Sequence, residues 1–150
     1  MSTTTISELL LVQDSPLHGV KYSLEKGINR LVKFTPYDKW NDKKIAEFIL
    51  NVITLIRDNH HNWQKSYLNT ASGFNAICEL LSYNSNIDLL RESFIFDSRQ
   101  FEINCKTSID IELKRWIKPT GKKMNRTDII LGELKKFLIT QKYGANSFKF

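Results

Sequence analysis

Three residues in the second half of the chain have side chains that could hold a divalent cation and activate water. Glu112 and Lys114 are separated by one residue in the segment SIDIELKRW, and Asp97 ends the earlier segment FIFD. If the later segment is a strand, Glu112 and Lys114 lie on the same face, because side chains alternate along a strand. Such a set could bind Mg²⁺, which lowers the pKa of a bound water and neutralises charge during phosphodiester cleavage.

This arrangement of an aspartate followed by Glu-x-Lys resembles the pattern of the metal-dependent PD-(D/E)XK nucleases. The resemblance covers residues 97–114. It implies a nuclease with Asp97, Glu112 and Lys114 as its catalytic residues. The alternative explanation is an exposed sheet face on which these side chains form cross-strand ion pairs.

Other catalytic and metal-binding motifs are missing from the sequence. The six glycines are scattered and form no phosphate-binding loop or dinucleotide fingerprint. Cys78 and Cys105 stand alone inside apolar patterns, which indicates buried free thiols. His60 and His61 are adjacent in a predicted loop, without the ligand spacing of a metal site. We therefore expect no cofactor and no metal, and the sequence favours a protein that is not an enzyme.

The segment from Lys114 to Arg126 has six positive side chains and no acidic one. Pro119 and Gly121 are expected to bend it into a loop that could follow a phosphate backbone. Trp116 has two interpretations: it stacks on a base, or it packs against the last helix. The predicted nucleic-acid-binding residues are Lys114, Arg115, Trp116, Lys118, Lys122, Lys123 and Arg126.

The net charge of +6 is unevenly distributed. Residues 1–100 contain 11 basic and 11 acidic side chains, whereas residues 101–150 contain 11 basic and 5 acidic ones. All the excess positive charge therefore lies in the last third of the chain. Because net charge bears on binding partners rather than on the fold, this asymmetry predicts a polyanionic partner. A basic face kept for solubility is the alternative.

Length and composition indicate one globular domain over residues 1–150. A chain of 150 residues with 41% hydrophobic and 25% charged side chains can bury a core and is unlike a disordered chain. The N-terminus lacks the basic region and cleavage site of a secretory signal, and no apolar run is long enough to span a membrane. We expect a cytoplasmic protein without a membrane partner.

The apolar spacing predicts an α+β fold whose N-terminal two-thirds is mostly helical. Ile45, Phe48, Ile49, Val52, Ile53 and Ile56 form one stripe of a helix over residues 41–58. Further helices are predicted near residues 5–13, 24–32, 70–81 and 86–93, and a closing helix over about 126–143. For the second of these, a strand that begins a hairpin is the alternative, because Val20, Tyr22 and Leu24 alternate.

A change of period predicts a small antiparallel three-stranded meander over about 94–117. Apolar residues there recur at every second position, at Phe94 and Phe96, at Phe101, Ile103 and Cys105, and at Ile109, Ile111 and Leu113. Glu112 and Lys114 are then expected on the polar face of the sheet.

The sequence supports three functions, in this order. The first is a non-catalytic nucleic-acid-binding protein or nucleoprotein subunit that contacts the phosphates of DNA or RNA through residues 114–126. The second is a protein–protein interaction module, an inhibitor or accessory subunit, that docks on an acidic protein surface. The third is the metal-dependent nuclease.

Overall fold

The structure is a computed structural model. It describes residues 2–83, 85, 96–117 and 124–139, without the side chains of residues 115–117, 138 and 139. Within these ranges the chain forms helices and turns and no strand. The α-helices are α1 (Thr3–Leu10), α2 (Glu25–Leu31), α3 (Asp42–Asp58), α4 (Ala71–Leu81), α5 (Ser98–Ile117) and α6 (Arg126–Ile139). Three short 3-10 helices cover Tyr37–Lys39, Trp63–Lys65 and Tyr67–Asn69.

Short polar side chains cap five of these helices. Each accepts a hydrogen bond from a backbone N–H in the first turn, which would otherwise have no partner within the helix. The distances from donor nitrogen to acceptor oxygen range from 2.8 to 3.2 Å. The caps are Ser2, Asn41, Thr70, Asp97 and Asn125.

The predicted helix over residues 41–58 is confirmed as α3, and its apolar stripe lies in the core. Ile45, Ile49, Val52 and Ile53 are all fully buried. Helix α1 packs against α3 and α2, α2 against α4, α4 against α6, and α6 against α5. The predicted helix over 86–93 and residues 140–143 of the closing helix lie outside the described residues.

The predicted α+β fold is wrong, because the described part of the proposed meander over about 94–117 contains helix α5 and no strand. Phe101, Cys105, Ile109 and Glu112 are buried at the spacing of one helix face. Ile103 and Ile111, which a sheet would have buried, are 57% and 55% exposed. Together with exposed Leu113, these exposed isoleucines place apolar residues at every second position, and this spacing wrongly indicated strands.

No helix among the described residues is both long enough and apolar enough to cross a membrane.

Helix α5 and a β-meander over the same residues predict different effects of Phe101→Ala and Ile103→Ala on stability. Phe101 is fully buried, so its truncation should lower the free energy of unfolding by about 3–5 kcal/mol, through lost burial and a residual cavity. Ile103 is exposed, so its truncation should change that free energy by less than about 0.5 kcal/mol. Urea unfolding curves measure both. Similar, large losses in the two variants would contradict the helix, because only a strand buries both side chains on one face.

Candidate nucleic-acid interface

The predicted basic residues lie where α5 ends and α6 begins. Lys114 is exposed near the end of α5, and Arg126 is exposed at the first position of α6. Arg115 and Trp116 belong to the last turn of α5. Lys118, Lys122 and Lys123 lie outside the described residues. Because α5 packs against α6, the two described cations flank the connection between neighbouring helices.

Three of the five carboxylates in the last third of the chain face inwards. Glu112 and Glu133 are only 6% and 5% exposed, and the side chain of Glu102 is 16% exposed. Glu112 Oε1 accepts a hydrogen bond from the Met124 backbone N–H at 2.7 Å, which joins the start of α6 to α5. Glu133 Oε1 accepts from Ser108 Oγ at 2.9 Å and pairs with Lys136 Nζ at 3.0 Å.

Four of the five cations in this region whose side chains the structure describes face outwards. Lys106, Lys114, Arg126 and Lys136 are exposed, and Lys135 is half-buried. The two exposed carboxylates, Asp110 and Asp128, complete the acidic residues of the last third. The described surface of this region is therefore more positive at close range than its sequence composition indicates, because a bound phosphate approaches the exposed cations more closely than the buried acids.

Asp97, Glu112 and Lys114 are not brought together. Asp97 caps the start of α5, and fifteen residues of helix place Glu112 roughly 22 Å further along the axis. Glu112 and Lys114 point to different sides, because residues two apart on a helix do not share a face. The shared strand face proposed for the nuclease is therefore wrong. The described residues also contain no group of three or more His, Cys, Asp or Glu side chains that could hold a metal.

The structure contains a hydrogen-bond network centred on Glu102 that the sequence analysis did not predict. His60 Nδ1 accepts the Asn62 backbone N–H at 2.8 Å, which leaves Nε2 as the ring nitrogen that donates. That Nε2 donates to Glu102 Oε1 at 2.8 Å, and Ser66 Oγ donates to the same oxygen. Glu102 Oε2 accepts the Tyr67 backbone N–H at 3.1 Å. One carboxylate thereby attaches α5 to the segment 60–67.

A second contact beside this network orients His61. Its backbone N–H donates to Ser98 Oγ at 3.0 Å, and its ring Nδ1 makes a hydrogen bond with the Ser98 hydroxyl at 2.7 Å. The ring stacks on His60, with centroids 4.7 Å apart and planes 17° apart. The His60 side chain is 1% exposed, whereas His61 is exposed. His61 is therefore a surface side chain with a defined orientation.

The far end of this segment packs against α4 through a glycine. A Cβ atom at Gly73 would lie 2.1 Å from the carbonyl oxygen of Tyr67, which is far too close. Thr70 also donates from Oγ1 to the same carbonyl at 2.6 Å. The turn containing Tyr67 is therefore supported by α4 on one side and by Glu102 on the other.

The titrating groups of the region do not favour nucleophilic chemistry. Burial raises the pKa of the Cys78 thiol and of the Cys105 thiol well above the usual value, so both remain protonated. Burial alone would raise the pKa of Glu102, but hydrogen bonds from His60, Ser66 and the Tyr67 N–H outweigh it and lower that pKa. Glu102 is thus held as a carboxylate and serves as an acceptor.

The Glu102 contacts predict a pH-dependent stability. Because the folded-state pKa is lowered, the carboxylate stabilises the fold above its ordinary value near 4.5. That stabilisation is lost as the pH falls through the folded-state value. Glu102→Gln should lower the free energy of unfolding at pH 7 by about 1.5–3 kcal/mol, the usual contribution of hydrogen bonds to a charged group. The deficit should shrink as the pH falls below 4.5.

Unfolding curves of both proteins over the acid range measure this difference. Asp110→Asn is the matched control, since Asp110 is an exposed acid on the same helix and pairs with exposed Lys106. It should leave the stability almost unchanged. A Glu102→Gln deficit that does not depend on pH would contradict the role of the charge.

Comparisons with protein-family models, curated proteins and solved structures found no significant match to this chain. Any function proposed for it is therefore argued from its residues and their geometry.

Proposed function

We propose that this protein binds DNA or RNA without cleaving it, through phosphate contacts of residues 114–126. The observation that supports this most is the separation of charge in the last third of the chain. Three of its carboxylates are used as internal hydrogen-bond acceptors, while Lys114 and Arg126 are exposed. A surface with cations outside and acids inside attracts a polyanion and steers its approach.

The proposed binding is dominated by the phosphate backbone and has little sequence preference. Phosphate contacts position a protein on a nucleic acid, whereas base-edge contacts read its sequence. Residues 114–126 supply lysine and arginine but no motif with known base-reading geometry. This composition suits an accessory subunit of a nucleoprotein complex better than a sequence-specific regulator.

Docking on an acidic protein is the second candidate, and one structural observation favours it. An apolar groove of about 380 Å³ lies between the end of α5 and the start of α6. It is lined by Leu113 and Met124, which are exposed, and by Ile109 and Ile129. Exposed apolar side chains beside a basic surface are typical of protein interfaces. This candidate predicts no affinity for free nucleic acid.

The dependence of affinity on salt separates the two candidates. Each engaged cation releases condensed counterions, so the logarithm of affinity should fall linearly with the logarithm of salt concentration, by about 0.9 per contact on duplex DNA. A segment of this length could reach roughly three to five phosphates, which gives a slope on the order of −3 to −4. Replacing Lys118, Lys122 and Lys123 by alanine should weaken binding and flatten the slope by up to about three units.

The matched control replaces three exposed lysines elsewhere, Lys21, Lys33 and Lys39, by alanine. It removes the same charge from the first hundred residues and should leave the slope nearly unchanged. Fluorescence anisotropy with a labelled oligonucleotide measures the affinity, and circular dichroism confirms that both variants fold. Absence of binding at low salt, or equal effects of the two triple substitutions, would reject the proposed interface.

A further inference from the structure

A second surface, separate from residues 114–126, has the side chains expected of a base-binding site. A shallow groove of about 250 Å³ runs between the segment 61–67 and the first half of α5. Its lining includes two rings, two lysines and one exposed aliphatic side chain: His61, Tyr67, Lys65, Lys106 and Ile103. A flat apolar ligand with attached negative charge would match this composition.

The ring of His61 is already immobilised at the surface. An exposed side chain normally loses rotamer freedom when it binds a ligand, and this loss opposes binding. Here the hydrogen bonds to Ser98 and the stacking on buried His60 restrict the ring in the free protein. Little further ordering is therefore required for a planar ligand to pack against it.

The charges around the groove favour an anionic ligand. Lys65 and Lys106 are exposed. Lys106 pairs with Asp110 at 2.8 Å, but both side chains are at least half exposed, and ion pairs of this kind contribute little. Lys106 can therefore exchange this contact for a phosphate. The Glu102 carboxylate also lines the groove, but it already accepts hydrogen bonds from His60, Ser66 and the Tyr67 backbone, which reduces its opposition to an anion.

The groove is also aligned with the basic segment. Lys106 and Lys114 are eight residues apart on α5, which is a little over two turns and roughly 12 Å of axial rise. Both are exposed, so they lie on the solvent side of one helix. A single nucleic-acid strand running along α5 could occupy the groove and contact residues 114–126 at the same time.

We propose that this groove binds an unpaired base of a single-stranded nucleic acid. The base stacks against the rings of His61 and Tyr67, and its flanking phosphates lie near Lys65 and Lys106. A base inside a duplex has both faces covered by its neighbours, so stacking of this kind selects single strands. The inference rests on the proposed function and adds a strand preference to it.

The test compares a labelled single-stranded oligonucleotide with the duplex of the same sequence. His61→Asn removes the ring but retains polar atoms near Ser98. Tyr67→Leu removes the other ring but retains the backbone N–H that donates a hydrogen bond to Glu102. Each change should weaken single-strand binding about fivefold or more, the effect of losing one stacked base. The salt slope and the duplex affinity should stay unchanged, because no phosphate contact is removed.

His18→Asn is the matched control, since His18 is an exposed histidine that lines a different groove. It should not affect single-strand binding, and thermal melts establish that all three variants are folded. Single-strand binding that is unaffected by both substitutions, or that falls equally with duplex binding, would overturn this inference while leaving the proposed function intact. Failure of the unmodified protein to bind any nucleic acid at low salt would overturn both.

Discussion

The groove between Tyr67 and Lys106 depends on the hydrogen bonds that the Glu102 carboxylate accepts. A carboxylate with little access to water must accept hydrogen bonds, because its charge is otherwise costly to bury. Here the donors are His60, Ser66 and the backbone of Tyr67, all from the segment between α3 and α4. This requirement fixes the start of α5 against that segment. It thereby places Ser98 beside His61 and forms the groove between Tyr67 and Lys106.

The same use of carboxylates recurs along α5 and α6. Glu112 joins the two helices through the Met124 N–H, and Glu133 accepts from Ser108 on α5. Each of these acids contributes to the structure as an internal acceptor, so few acids remain on the surface. The basic side chains have long flexible stems and readily keep their charge in water. Internal packing therefore adds to the positive surface that eleven lysines and arginines among residues 101–150 already supply.

The helices of the first half could be predicted from the sequence because their apolar spacing matches their burial. In α3, the stripe from Ile45 to Ile56 faces the core, and Asn41 caps the helix as its short polar side chain suggests. Helix α5 could not be predicted in this way. Its solvent side contains Ile103 and Ile111, and its buried side contains Glu112, so apolar and polar residues no longer mark inside and outside.

The candidate site could be predicted only in part. Lysine and arginine types identify a basic segment without any knowledge of the fold. The Glu102 network joins residues that are 35 to 42 positions apart in sequence, and only the packing of α5 against the segment 60–67 brings them together. The adjacent histidines are visible in the sequence, but a meander over residues 94–117 gives no reason to place Ser98 and Glu102 beside them.

The most direct test of the central claim, that one positive face formed by α5 and its neighbours binds nucleic acid, is a titration followed by NMR. A protein of 17.5 kDa gives resolved backbone amide signals, and a short single-stranded oligonucleotide can be added at low salt. We predict that the largest shifts occur at residues 61–67 and 103–126 and that they reverse when salt is raised. The absence of shifts, or shifts centred on the surface around Lys33 and Lys39, would contradict this account.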